Sequence, residues 1–594
     1  MKKQEKILYF ILAAIVWLYL AIRSWLVPFS YDEIVNFYFY VQSGNFIPFY
    51  SYTDANNHFL NSLFSWVAYS CFGSNQFVLR LPNLLSLVIF MLFSYKIVSN
   101  FKKGEYRLML ILALFFTHIL IEWFGYFRGY GLMMAFLVMS IYYLIDLQIK
   151  PSFRSFLLCQ TSLLLCLLAN LSSIFFVVTV LLVLIYLVFK NRIFITSKLL
   201  LLLIWSLVLF GAINYLLLLN KVGALYLGSQ SGLYETTLKS ITSWIFGDEA
   251  NIFLINSVTA FIGIHFILFL IEVVSAIRNR FNFKEGFFLS LIFYSCILCY
   301  PILNWLKGVN FPEDRAVIYL MPVLFISYTF MLNQLQFSYS KYLSFLLLLF
   351  PVSTARLYNF NTLSMNWYQY ITVEEDFIKK APKKINNRAC ILSGEKLLEP
   401  QYYWNNYKSQ HSISSYQFTD YPSTIADFQY ISIEKYHEID SLYKIIDSSG
   451  NNNFYLVERQ RKLNANLLIE RNDLDDKYES EFINLFEASE SELTEMKEKN
   501  IMITYAMKLG SINIPFDANI VITVFRNEEV IKYEKIPLNW VNDKYSLDQT
   551  YFFTIYINNF PSDATKFISY IWNVDRTSVI LNESEVKIYE LKDD

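Results

Sequence analysis

Residues 7–33 read ILYFILAAIVWLYLAIRSWLVPFSYDE, an apolar run that ends close to two adjacent carboxylates, Asp32 and Glu33. A helix needs about 20 mostly apolar residues to cross a bilayer, and residues 7–27 reach that length. Runs of the same kind recur along the first 356 residues. The sequence therefore predicts a membrane-spanning helix that leads at once into a polar loop, followed by further spans.

The composition supports a polytopic α-helical membrane protein. Hydrophobic residues make up 55% of the 594 residues and charged residues only 17%, which is too apolar for an ordinary soluble protein. Eleven segments are predicted to span the membrane. They are 7–27, 78–99, 107–124, 128–148, 154–170, 172–189, 199–219, 252–277, 287–304, 315–334 and 342–356.

The charges are divided unequally between the two parts of the chain. Residues 1–356 carry 24 Lys and Arg against 14 Asp and Glu, whereas residues 357–594 carry 25 against 36. Lys and Arg mark the cytoplasmic loops of membrane proteins. With the amino terminus inside and an odd number of spans, the acidic tail is predicted to be extracytoplasmic, on a bacterial inner membrane. The sequence offers no basic patch for a nucleic acid.

The tail is predicted to contain two folded parts. Residues 357–499 are predicted to form a helical connector, a small α/β domain and, over 461–499, a charged linker or surface helix. Residues 500–594 alternate apolar and polar positions, as in IMITYAMKL and NIVITVFRN, and predict a β-sandwich, jelly-roll-like in its last part. Its Trp540 and Trp572 could stack on sugar rings, although packing in the core is the favoured interpretation. This domain is expected to position an acceptor.

The first predicted outer loop contains the most informative side chains. Asp32 and Glu33 lie where the chain leaves the first span, and paired acids near a bilayer mark a site more often than a solvated surface. Asn57 and His58 follow in the same loop. An isolated histidine is more often structural than catalytic, so these two are candidates for substrate binding.

Three further clusters fall on the same predicted side of the membrane. Arginine and lysine are suited to binding phosphate, although both also extend their charged ends from spans toward water. The candidates are Glu122, Arg128 and Tyr130 in EWFGYFRGYG, Asp248 and Glu249 after the seventh span, and Lys307 and Arg315 before the tenth. Acids, a histidine and phosphate-binding cations on one side together predict a site.

Five segments, in this order, resemble the GT-C membrane glycosyltransferases, and most closely the family 39-like group with the protein mannosyltransferases and the lipid A aminoarabinose transferase. They are SYDEIVNFYFY, NNHFLNSLF, FVLRLPNLLSLV, WFGYFRGYGLMMAFLVMSIYYL and PEDRAVIYLMPVL. The resemblance covers roughly residues 7–350, so residues 1–356 are predicted to be the glycosyltransferase domain. One departure is His58-Phe59-Leu60, where the family usually has a His-Pro-Pro-Leu-like segment.

The resemblance implies transfer of a sugar from a polyprenyl-phosphate donor to an envelope glycan, lipid or protein. The family's acidic base falls on Asp32, with Glu33 beside it. Arg128, Arg315 and Lys307 are the candidates for the donor phosphate, while His58, Asn57, Tyr130, Glu122, Asp248 and Glu249 are candidates for substrate binding. A divalent metal at the acidic pair is left open. No other cofactor is expected.

Two other functions are compatible with parts of the sequence. A flippase or transporter of lipid-linked saccharides would need ionisable residues near the middle of the bilayer, whereas Asp146 and Glu272 lie toward inner ends of spans. A non-catalytic envelope anchor with a glycan-binding β-domain would leave the clustered acids and arginines unexplained.

Overall fold

The chain folds into two compact units whose boundaries differ from the predicted ones. The structure is a computed structural model. The membrane unit comprises Met1–Val27 and Gly44–Trp367, and the tail unit comprises Pro28–Ser43 and Tyr368–Asp594. The described residues are 3–190, 195–225, 228–247, 252–278, 283–335, 339–368, 372–385, 390–406, 415–450, 453–472, 476–511, 516–542 and 545–593. Residues 28–43 therefore group with the tail, although the sequence predicted one domain over 1–356.

Helices account for almost all regular structure in the membrane unit. In chain order, with α2 assigned to the tail unit, they are α1 (Lys3–Leu26), α2 (Tyr31–Asn36), α3 (Phe59–Phe72), α4 (Gln76–Val98), α5 (Gly104–Phe116), α6 (His118–Glu122), α7 (Tyr130–Ile149), α8 (Phe153–Ala169), α9 (Ile174–Lys190), α10 (Ile195–Lys221), α11 (Lys239–Phe246), α12 (Ile252–Arg278), α13 (Glu285–Lys307), α14 (Leu320–Leu335), α15 (Ser340–Ser344) and α16 (Leu349–Thr354).

Eight helices within the described residues are long and apolar enough to cross a membrane, so the chain is a multi-pass membrane protein. Three of the eleven predicted segments differ. Segment 107–124 is bent by 59° between α5 and α6, because Thr117 has an extended backbone. Segment 154–170 forms the shorter α8, and 342–356 is divided among α15, a 3-10 turn and α16. Local breaks of this kind are poorly visible in hydropathy alone.

Buried arginines contact the chain at and near the carboxyl-terminal end of α1. Arg80 of α4 is fully buried and donates to the carbonyls of Ser24 and Val27, at 3.1 and 2.7 Å. Arg23 is also buried and donates to the carbonyl of Ser364 at 2.7 Å. The last carbonyls of a helix have no partners within it, so the Arg80 guanidinium helps to determine where α1 ends, while Arg23 fastens α1 to the segment around Ser364.

The tail unit contains six further helices and fourteen strands. The helices are α2 and α17 (Glu375–Ile378), α18 (Lys380–Ile385), α19 (Glu399–Asn406), α20 (Ile433–Tyr436), α21 (Glu490–Met496) and α22 (Leu538–Val541). The strands are β1 (Leu392–Gly394), β2 (Tyr416–Phe418), β3 (Phe428–Ser432), β4 (Tyr443–Ser448), β5 (Phe454–Arg459), β6 (Asn464–Asn472), β7 (Asp476–Tyr478), β8 (Phe482–Glu487), β9 (Asn500–Ser511), β10 (Ala518–Arg526), β11 (Glu529–Pro537), β12 (Thr550–Ile557), β13 (Lys566–Asn573) and β14 (Val579–Lys592).

The strands form the small α/β domain and the sandwich that the sequence predicted. The first sheet has the order β2-β1-β3-β5-β4, with β1 parallel to both its neighbours. The sandwich sheets are β11-β10-β13-β8 and β12-β9-β14-β6, with β7 also paired to β14. Gln417 of β2 exchanges two hydrogen bonds of 2.9 Å with the backbone of Tyr556 in β12, which ties the two parts together.

The sandwich begins earlier in the chain than the predicted boundary at 500. Residues 461–499, predicted as a linker or surface helix, contain β6, β7, β8 and the short α21. Most positions of β6 are exposed to solvent. Exposed edge strands often carry charged side chains that prevent further pairing, so their composition resembles that of a linker.

Candidate active site

The acidic pair lies at the start of α2, where its two members have different surroundings. Glu33 is fully buried, and its carboxylate accepts hydrogen bonds of 3.0 Å from both the backbone N–H and the hydroxyl of Ser30. This is the arrangement of a capping box, in which a glutamate satisfies the free N–H groups at a helix start. Glu33 therefore has a structural role in the start of α2.

Asp32 remains half-buried beside this cap. Its Oδ2 accepts a hydrogen bond of 2.6 Å from the phenol of Tyr368. A carboxylate that is partly desolvated and partly accessible is suited to accepting a proton. The structure thus distinguishes the two acids, which the sequence could not do.

Aromatic side chains pack the rest of the acidic segment, residues 28–43, against the body of the tail unit. Phe29 and Phe37 contact Trp404 of α19, with ring centroids 4.9 and 5.1 Å apart. Tyr38 stacks on Trp540 of α22 at 4.7 Å, with the rings 14° from parallel. Trp540 therefore packs in the interior, as the favoured interpretation of the sequence had it.

Side chains of the acidic segment also donate hydrogen bonds to the backbone of α22. Gln42 donates to the carbonyl of Asn539 at 2.9 Å, and Tyr38 donates to the carbonyl of Trp540 at 3.3 Å. The segment also contains a π-helix over Phe37–Val41. Such turns are rare and occur frequently at functional sites.

In the membrane unit, the turn that carries Arg128 is held by a buried asparagine. The Asn83 amide of α4 donates to the carbonyls of Tyr126 and Arg128, and its Oδ1 accepts from the backbone N–H of Leu132 at 2.9 Å. Arg128 itself is only 2% exposed. The backbone of this turn is therefore preorganised, which is the property required of a charge-stabilising group.

His58, Asn57 and Tyr130 are all buried, and His58 lies against the turn, with its Cβ 2.8 Å from a Cβ placed at Gly129. The rings of His58 and Tyr130 meet edge to face at 5.1 Å. A side chain at Gly129 would collide with the carbonyl of Ala169, 2.0 Å from its Cβ position. Asn57 instead stabilises its own loop, because its amide donates to Ser51 Oγ at 3.0 Å and to the carbonyl of Phe46 at 3.1 Å.

Glu122 has a clear structural partner. It is buried, and its Oε1 accepts a hydrogen bond of 2.7 Å from the backbone N–H of Asn366. The same asparagine side chain lies 3.3 Å from His118 Nε2. This network fastens the connector after α16 to the end of α6, which explains the burial of Glu122 without a substrate.

Arg315 lies in a 3-10 turn, Asp314–Val317, and is half-buried. Asp314 has a positive φ of 48°, and its N–H donates to Ser240 Oγ of α11 at 3.0 Å. Such backbone strain in a non-glycine residue persists only when its surroundings hold it, and it is common at functional sites. Lys307 ends α13 and is exposed, while Asp248 and Glu249 lie outside the described residues.

The described ranges contain no group of three or more His, Cys, Asp and Glu side chains that could hold a metal ion. Of the two acids considered for a metal, Glu33 is engaged by Ser30. Participation of a divalent metal at this pair stays open, as the sequence left it.

Within each unit, residues that contact the candidate side chains or their segments were not recognised from the sequence. Tyr368 and Trp404 contact the acidic segment from positions more than 300 residues away along the chain, and no local pattern marks them. Asn83 lies inside an apolar span, at the end of the sequence RLPN. A polar amide in such a position is a usable signal, because its burial requires hydrogen-bond partners.

Comparison with known proteins gives matches only among solved structures. No protein-family model matches the chain, and no curated protein matches it. The chain is similar to ArnT from Cupriavidus metallidurans bound to undecaprenyl phosphate, with 11% identity, a TM-score of 0.48 and coverage of 77% of this chain and 98% of that one. It is also similar to arabinosyltransferase EmbB from Mycobacterium smegmatis, with 9% identity, a TM-score of 0.35 and coverage of 98% and 64%. At this level of identity, these likenesses concern the fold alone.

Proposed function

We propose that the protein is a membrane glycosyltransferase that moves a sugar from a polyprenyl-phosphate donor to an extracytoplasmic acceptor. The observation that carries the proposal is the half-buried Asp32 carboxylate, which accepts a hydrogen bond from Tyr368. Asp32 lies in a segment that resembles the acidic motif of the GT-C glycosyltransferases. An envelope glycan, a lipid or a protein could supply the acceptor hydroxyl or amine.

In the proposed reaction, Asp32 takes the proton of the acceptor as its oxygen or nitrogen bonds to the anomeric carbon. The bond from that carbon to the lipid phosphate oxygen breaks, and the phosphate leaves as an anion. A single displacement of this kind inverts the anomeric configuration. Arg315 is proposed to contact the leaving phosphate because it remains accessible, and the buried Arg128 is proposed to add positive potential.

A transporter of lipid-linked saccharides has less support from the described spans. His265 of α12 is buried within the helices of the membrane unit. Its ring nitrogens lie 3.1 Å from Ser290 and Ser327 and 2.9 Å from the phenol of Tyr294. Polar groups in contact across helices stabilise membrane bundles, so this cluster is explained by packing. A function as a non-catalytic envelope anchor would not explain why the Asp32 carboxylate is partly accessible.

Mass spectrometry of lipid-linked and envelope glycans from a deletion strain would test the proposed activity. We expect one sugar to be missing from the envelope and its polyprenyl-phosphate form to accumulate. The wild-type gene should restore the sugar, and a gene encoding Asp32→Asn should not. Unchanged glycans together with an unchanged pool of lipid-linked sugars would contradict the proposal.

Arg315→Ala is expected to weaken binding of polyprenyl phosphate by about 10- to 100-fold. Hydrogen bonds to charged groups contribute about 1.5–3 kcal/mol. The bound phosphate would lose those from the half-buried guanidinium when alanine replaces Arg315. Binding to the detergent-solubilised protein can be measured by a ligand-dependent thermal shift. The matched control is Lys307→Ala, which removes an exposed cation and should change affinity by only a few-fold. Equal losses in both variants would mean that Arg315 acts only through net charge.

We also propose that the tail lies outside the cytoplasm. The excess of Lys and Arg in the predicted inner loops supports this orientation. A reporter that works only after export, fused at residue 594, should be active, while the same reporter fused in the Lys102–Arg107 loop should be silent. The opposite pattern would reverse the topology.

A further inference from the structure

The carboxylate of Asp32 is held by a phenol that lies 336 positions further along the chain. Tyr368 is itself buried, and it ends a 3-10 turn, Asn366–Tyr368. The backbone carbonyl of Tyr368 accepts hydrogen bonds from the N–H of Thr372 at 3.0 Å and from its hydroxyl at 2.9 Å. The residue that donates the hydrogen bond to Asp32 is thus fixed by its own local structure.

The acceptor side of this hydrogen bond is equally constrained. Ser30 and Glu33 lock the start of α2, and Trp404 packs against Phe29 and Phe37 on either side of it. A distance of 2.6 Å between the two oxygens is typical of a hydrogen bond to an ionised carboxylate. Such a bond restricts the rotation of the carboxylate.

We propose that Tyr368 is a positioning residue for Asp32. Both residues belong to the tail unit, and the phenol holds the carboxylate in the one orientation in which it receives the acceptor proton. The inference rests on the proposed function of Asp32 as a base. It gives the beginning of the tail a direct part in the reaction. The sequence predicted only that the sandwich, further along the chain, positions an acceptor.

Tyr368→Phe removes the hydroxyl and keeps the ring. We expect kcat to fall by about 10- to 100-fold, because small errors in orientation have effects of this size, with donor binding unchanged. The acid limb of the pH–rate profile should move to higher pH by up to about one unit, because the hydrogen bond favours the ionised carboxylate. Glu33, the nearest acid in the chain, keeps its Ser30 partner in both proteins.

The matched control is Tyr443→Phe, which removes another buried hydroxyl of the tail unit. Tyr443 donates to the carbonyl of Ala426 at 2.8 Å. Its loss should leave kcat and the pH limb unchanged. A comparable shift in both variants would show a general effect of loosening the tail and would overturn the proposal.

A double variant separates this inference from the proposed function. In an Asp32→Asn background, Tyr368→Phe should cause little further loss, since residues that act as one unit are not additive. An independent, full-sized loss there would assign Tyr368 to another step. If wild-type protein transfers sugar and Tyr368→Phe behaves as wild type, the positioning role is wrong while the proposed function stands. If wild-type protein binds the donor yet transfers no sugar to any acceptor, the proposed function itself fails.

Discussion

Asp32→Asn is expected to lower the rate of sugar transfer by about 10²–10⁴-fold, the usual consequence of losing a general base. Asparagine has the size of aspartate and can still accept a hydrogen bond from Tyr368, so the packing of α2 should persist. Because the donor phosphate is assigned to cations elsewhere in the chain, donor binding should stay within a few-fold of wild type. Turnover and donor affinity of the purified protein are the two measurements.

Glu33→Gln is the control for this prediction. Glutamine at that position can still accept the two hydrogen bonds from Ser30, so we expect turnover within about tenfold of wild type. If Glu33→Gln abolishes transfer and Asp32→Asn does not, the assignment of the two acids is reversed. If neither matters, the base lies elsewhere, and the acids after the seventh predicted span, Asp248 and Glu249, become the next candidates.

Trp540→Ala is expected to lower both the local stability of the tail unit and the turnover. Trp540 is 9% exposed and stacks on Tyr38 of the acidic segment. Truncating a buried tryptophan typically costs about 3–5 kcal/mol of local stability, and here the loss falls on the contact between α22 and residues 28–43. Turnover should drop by about tenfold or more because the orientation of Asp32 is lost.

Hydrogen exchange of the full-length protein can localise the effect of Trp540→Ala. Peptides from residues 28–43 should exchange faster in the variant, whereas peptides from α7 should be unchanged. The control is Trp572→Ala on β13, whose side chain is half-buried and donates to Glu481 at 3.4 Å. Fast exchange in residues 28–43 with normal turnover would contradict a role for this contact in catalysis.

The interpretation of the sandwich changes with these contacts. From the sequence, this domain was expected to position an acceptor, with core packing as the favoured interpretation of its tryptophans. In the folded tail unit, Trp540 and the backbone of Asn539 instead hold the acidic segment. Removal of residues 500–594 should therefore impair transfer even to a small soluble acceptor, the opposite of what a recruiting domain would show.

The candidate cations illustrate the limits of motif-based assignment. Arg128, Arg315 and Lys307 were equivalent by charge and predicted side of the membrane. Their exposure separates them, since Arg128 is buried, Arg315 is half-buried and Lys307 is exposed. Exposure depends on which helices pack around each turn, and the sequence near an arginine does not contain that information.

The sequence by itself determined the features that depend on neighbouring residues. Long apolar runs predicted the spans because a bilayer requires about 20 apolar residues per helix, and alternation predicted the sandwich because successive side chains of a strand point to opposite faces. The acidic motif after α1 was equally visible. Only the tertiary structure decided that residues 28–43 fold with the tail unit, that Ser30 engages Glu33, and that Tyr368 engages Asp32. These outcomes arise from contacts between distant segments, whose free energies depend on the packing of the whole unit rather than on any local pattern.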